Sequence, residues 1–188
     1  MKEFNTNKQN NFPRRLVTDD WLDSFHKTGN GELKTLTNSM SPLIQNGDTL
    51  CIKKITGTSK IKIGDIVAFW RGNMLVTHRV VRKIKRDKAV WFLERGDHTS
   101  QTALVHSESV MGVVTKIKKK GTVLDLETIK IKLYNRALGF VFLSEWIMRL
   151  YGRRITGPLS FIKSSAKYFY VSLKSLLHRL MTKSIKTK

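Results

Sequence analysis

A chain of 188 residues is long enough for one catalytic domain with appendages, or for two very small domains. Its single cysteine excludes an intrachain disulfide and the Cys-rich zinc modules. The formal net charge of +21 exceeds what solubility asks of a small protein and implies an anionic partner surface, phospholipid or nucleic acid. That charge is uneven: residues 1–127 carry 22 Lys or Arg against 13 acidic residues, and residues 128–188 carry 13 against one.

Residues 1–17 are Asn- and Lys-rich and read as a flexible segment. No apolar run follows the polar N-terminus, so no secretory signal is expected, and nowhere do about 20 apolar residues run uninterrupted as a membrane span requires. From Thr18 the sequence predicts a short helix with Thr18 as N-cap, acidic residues in its first turn, and Trp21, Leu22 and Phe25 on its buried face. Gly29 and Gly31 end it, and Glu32 to Leu36 reads as an approach strand.

Residues 37–48 then form a stiffened turn between apolar segments. Pro42 pushes Ser41 out of the α region, and Asn46-Gly47-Asp48 marks a second turn. Ser39 is the candidate nucleophile of this loop, although serine and proline are also what any surface turn uses.

Beyond it the pattern is that of β structure. Thr49–Ile55, Ile66–Trp70, Leu75–Ile84, Ala89–Glu94 and Val110–Ile117 are short runs rich in Val, Ile and aromatics, separated by Gly-containing turns, with a further strand expected over Val123–Ile131. Strands this short with no intervening helices favour a mostly β, antiparallel or partly closed fold. The expected module spans residues 18–132. Residues 133–188 form a basic tail with two helical stretches, Leu133–Leu150 and Ser160–Met181; in the second, apolar residues recur at three- and four-residue steps beside lysines. Such amphipathic helices suit an anionic lipid surface, the β module itself or a protein partner.

Chemistry needs a base, because a serine hydroxyl is a poor nucleophile at neutral pH unless its proton is removed during attack. His78, inside Leu75-Val76-Thr77-His78-Arg79-Val80-Val81, is the candidate. His26, His98, His106 and His178 have weaker surroundings and read as surface residues. Asp97, in Glu94-Arg95-Gly96-Asp97-His98, follows a glycine that permits a sharp turn and so offers a carboxylate to orient His78. Cys51, within a strand-like run, reads as a small core residue. No compact histidine spacing for zinc, calcium loop or phosphate-cradling glycine loop occurs, so no metal or cofactor is expected.

Taken in order, Ser39-Met40-Ser41-Pro42 with Gly47-Asp48, Gly64-Asp65-Ile66-Val67-Ala68-Phe69, Thr77-His78-Arg79-Val80, Arg95-Gly96-Asp97 and Val110-Met111-Gly112-Val113-Val114 form a pattern more specific than any one of them. It resembles the signal peptidase I and LexA-like serine peptidase superfamily over about residues 33–118. His78 stands where that superfamily commonly has lysine, which is similar to the archaeal, endoplasmic-reticulum and sporulation-type signal peptidases. The resemblance implies a signal-peptidase-like β domain in which Ser39 attacks, His78 acts as base and then acid, and Asp97 supports or orients the site. It also implies an extended peptide or preprotein substrate with small side chains at the cleavage subsites.

The chain departs from the pattern in two places. A polar N-terminus stands where exported-protein processors carry a membrane anchor, and Thr99 to Val105 lacks the further acidic residue expected after the Gly-Asp turn. The expected function is therefore a serine endopeptidase that removes a leader or signal-like segment, with a processing or export protein as a further partner. It is expected peripherally at the cytoplasmic side of a membrane, or in the cytoplasm. The alternative is a non-catalytic membrane- or nucleic-acid-binding module, nucleic acid being the lesser reading because Trp70 and Trp91 suit a β core better than a base-stacking platform.

Overall fold

A computed structural model describes residues 17–86 and 88–152, together with 172–173, 175–176 and 179. Helix α1 (Asp19–Thr28) starts where its cap dictates: Thr18 is extended and its side chain accepts from the Trp21 amide. It stops at Gly29, whose left-handed conformation lets its N–H reach the Phe25 carbonyl at 2.9 Å. Trp21 and Phe25 stack with ring centroids 5.1 Å apart and lie over Gly31, where a Cβ would sit 2.5 Å from the Trp21 ring. The helix therefore docks on the next strand at a position where a side chain would keep the two apart.

Eight strands follow among the described residues: β1 (Asn30–Lys34), β2 (Thr49–Lys54), β3 (Ile66–Arg71), β4 (Met74–Arg86), β5 (Ala89–Arg95), β6 (Thr102–His106), β7 (Val110–Lys119) and β8 (Thr122–Asp125). They form one antiparallel sheet in the order β1-β2-β7-β3-β4-β5-β6, with β8 paired to β7. The mostly β class read from the sequence is the class observed. The approach strand lies two residues earlier than expected, and β6 falls in a stretch whose composition signals no strand.

The strand expected over Val123–Ile131 is corrected. Asp125 ends β8 because its carboxylate accepts the Glu127 amide at 2.8 Å while its carbonyl accepts the Thr128 hydroxyl, a turn that competes with further pairing. Helix α2 (Ile129–Gly152) begins immediately after it.

Alternation along β3 puts apolar side chains on both faces of the sheet. Ile66 and Ala68 join one core cluster with Phe25, Met40, Leu50 and Ile117, while Val67 and Phe69 join a second with Ile61, Val80 and Phe92. A strand buried on both faces reads as an unbroken apolar run, as Ile66–Trp70 does. Helix α2 lies over the first cluster, contributing Tyr134, Leu138, Val141 and Phe142, all buried. Its opposite side leaves Ile129, Leu133, Phe140 and Ile147 exposed. Among the described residues no helix is long and apolar enough to cross a membrane. Most of the helix expected over Ser160–Met181, and all of residues 1–16, lie outside the described residues.

Candidate active site

The Ser39 loop is held at its neck and from within. Thr35 donates its amide to the Asp48 carbonyl at 2.8 Å and Gly47 returns one to Thr35 at 2.9 Å. Inside, Ser41 N–H reaches the Asn38 carbonyl, Ile44 N–H the Met40 carbonyl, and Asn46 N–H the Asn38 side-chain oxygen at 2.9 Å. The Asp48 carboxylate accepts the Gln45 amide and pairs with Lys119 at 2.6 Å, tying the loop to β7. Met40, Leu43 and Ile44 pin it to the core, and the Ser41–Pro42 peptide is cis. Ser39 is half-buried at the start of this turn, its Oγ 3.4 Å from Thr37 Oγ1 and its carbonyl accepting the His98 amide at 2.9 Å.

His78 enters from β4. Its ring lies edge-on to Phe69, with centroids 6.3 Å apart, and is largely buried. Gly96 is what lets the imidazole approach the serine turn. A Cβ on Gly96 would lie 2.6 Å from the Ser39 carbonyl oxygen and 3.1 Å from His78 Nε2, so both atoms crowd the same point above the glycine. Loop 37–48, the β4 histidine and the Gly96 turn, separate in sequence, thus converge in space.

The carboxylate on the far side of the imidazole belongs to Glu94, not to the Gly-Asp turn. Glu94 Oε2 lies 2.5 Å from His78 Nδ1, and Oε1 pairs with Arg71 of β3. Asp97 gives both its oxygens to Arg79, which donates from Nε at 2.8 Å and Nη2 at 2.7 Å, with neither side chain exposed. Their positions explain the exchange: within β5 Glu94 lies on the face that holds His78 and Arg95 on the face covered by α2, whereas Asp97 sits in the turn beyond β5 and meets Arg79.

Arg79 completes its coordination through Nη1, which donates to the Gly64 carbonyl and the Asn135 side chain, each at 2.8 Å. Burial opposes the Arg79 charge, but the Asp97 carboxylate outweighs it and raises its pKa above the ordinary arginine value. Burial likewise raises the pKa of neighbouring Tyr134. The same turn is clamped from outside: Arg95 donates to the Thr99 carbonyl and pairs with Glu145 of α2 at 2.6 Å, lying over the Phe142 ring, while Arg149 reaches the Ser100 carbonyl.

The sequence reading passed over both Glu94 and Arg79. The signal available for Glu94 was an acidic residue ending an apolar run, two positions before Gly96. Among the remaining histidines, His106 packs against Trp91 and lies 3.5 Å from Glu108, His26 is exposed, and His178 is outside the described residues. Among the described residues no three His, Cys, Asp or Glu side chains group as a metal site.

No family model matches the chain. It is similar to signal peptidase I W of Bacillus subtilis (strain 168), with 31% identity over 83 residues, which is 43% of this chain and 44% of the relative. The chain thus spans less than half the length of the curated relative it matches, and the likeness is to the signal peptidase family.

Proposed function

We propose that this protein is a serine endopeptidase that cuts a leader or signal-like segment from a peptide or preprotein, with Ser39 as nucleophile and His78 as base. The observation that carries this reading is the crowding of the Ser39 turn and His78 Nε2 around the missing side chain of Gly96. The distant signal peptidase relative supports a peptidase role in general.

In this mechanism Ser39 Oγ attacks the scissile carbonyl as His78 Nε2 takes its proton. Backbone N–H groups, that of Ser39 among them, meet the oxyanion. The imidazolium then protonates the departing amine, and water releases the acyl-enzyme with the assignments reversed. Asp97 supports the site by holding Arg79 and the turn that carries Gly96. The substrate is an extended segment with small side chains at the cleavage point, paired with a strand bordering the site.

An anionic membrane surface is the proposed setting. Ile129, Leu133, Phe140 and Ile147 recur at four- and seven-residue steps and share one exposed face of α2, beside Lys130 and Lys132 and ahead of the basic residues that follow. A processing or export protein is a further partner of the same face.

The test is to map newly formed peptide termini in membranes from cells carrying the wild type, Ser39→Ala or His78→Ala. New termini are expected with the wild type alone, turnover in either variant falling by about a thousandfold or more with folding intact. Wild-type-like cleavage by His78→Ala would remove the proposed base.

A further inference from the structure

The geometry points to Glu94, under the control of Arg71, as the positioning residue that makes His78 Nε2 a base. This rests on the peptidase reading for its consequence in catalysis, but not for its test.

An ionised carboxylate only accepts hydrogen bonds, so a carboxylate 2.5 Å from His78 Nδ1 calls for the proton on that nitrogen. The neutral ring then carries its lone pair on Nε2, the nitrogen that faces Gly96 and the Ser39 turn. Glu94 is 2% exposed, so its charge acts on the ring with little solvent screening. It stabilises the imidazolium that forms when Ser39 loses its proton, and the Nδ1 proton stays where it is throughout.

Arg71 adds a second control. It pairs with the other Glu94 oxygen while its own side chain is 46% exposed, and it lies over the Phe69 ring that edges His78. Among the described residues, the charge that meets His78 is that of Glu94 from β5, with Arg71 from β3 behind it. Phe69 from β3 and the Gly96 turn supply uncharged surface. Arg71 tempers the carboxylate, so the two residues act on the imidazole with opposite sign.

The test is nitrogen-15 NMR of the histidines in the full chain, in a Ser39→Ala background, comparing Glu94, Glu94→Gln and Arg71→Gln. Expected is an Nδ1-protonated neutral ring for His78, a preference that weakens in Glu94→Gln, whose amide can donate as well as accept, and persists in Arg71→Gln, where the carboxylate remains. A change in the tautomer with the fold retained is something a merely structural role would not produce. An Nε2-protonated ring, or a tautomer share unchanged by Glu94→Gln, would overturn the assignment.

With Ser39 present, Glu94→Gln is expected to lower kcat by about 100-fold or more with KM within about twofold. Loss confined to KM would also count against it. Should the wild type cut no peptide, the peptidase reading falls while the ring tautomer still decides the role of Glu94. Arg71, with nearly half of its side chain exposed, provides a second variant expected to fold whatever becomes of Glu94→Gln.

Discussion

Both carboxylate oxygens of Asp97 are gripped by the guanidinium of Arg79, and neither side chain is reached by solvent. The pair sits one residue from His78 on one strand and one residue from Gly96 on the turn, and Asn135 of α2 holds the same guanidinium. Charge pairing, turn and helix therefore form one unit directly behind the Ser39 loop.

Breaking this pair on one side leaves a buried charge without its counter-ion. Asp97→Ala is expected to cost about 3–5 kcal/mol of stability, while the double substitution Arg79→Met with Asp97→Leu recovers much of that loss because no charge remains buried. Urea unfolding of the two variants measures both figures.

Gly96→Ala tests the convergence point. The added methyl lies 2.6 Å from the Ser39 carbonyl oxygen, a backbone atom that moves only with its whole turn. Stability should fall by about 1–3 kcal/mol as for other overpacked sites. Displacement of the reacting groups by even 1 Å should reduce proposed turnover by about 100-fold. A variant that retains full cleavage would show that the serine turn and imidazole do not need this approach.

The seat of α2 can be tested at Gly139, where two effects compete. Within a helix, Gly→Ala ordinarily stabilises by about 1 kcal/mol. Here the new Cβ would stand 2.7 Å from the Gly64 amide nitrogen and 2.8 Å from its Cα, on a turn that cannot yield as a side chain would. Overpacking should win by about 1–3 kcal/mol, giving net destabilisation in thermal or urea unfolding. Phe142→Ala, at a fully buried position, should cost about 3–5 kcal/mol.

Cys51 should be a slow thiol. Burial raises its pKa, and the Glu32 carboxylate 3.6 Å from Sγ raises it further, so less thiolate is present at neutral pH than for an ordinary cysteine. Alkylation by iodoacetamide should therefore lag behind that of a free thiol at pH 7.5 and catch up only as pH rises. Glu32→Gln removes an anion and should speed the reaction at fixed pH; a slower reaction would contradict the electrostatic cause.

Much of the fold was legible from local chemistry. Thr18 and Gly29 bracket α1 because capping is a contest among neighbouring backbone groups, and alternating Val and Ile runs announced most strands. Strand β6 was not legible because Thr102–His106 gains its order from pairing with β5, a partner no local composition reveals. The extension of β8 toward Ile131 failed because one aspartate closing a turn outweighed favourable β propensity.

The amino-acid sequence by itself determined that the chain would build a mostly β module. It also singled out a stiffened serine turn and one histidine within a strand, since turns, caps and alternation are decided over a few residues. Only the tertiary structure decided which carboxylate meets His78. That choice depends on the face to which Glu94 points once β5 has paired with β4, and on the turn beyond β5, which carries Asp97 to Arg79 and leaves Glu94 to meet His78.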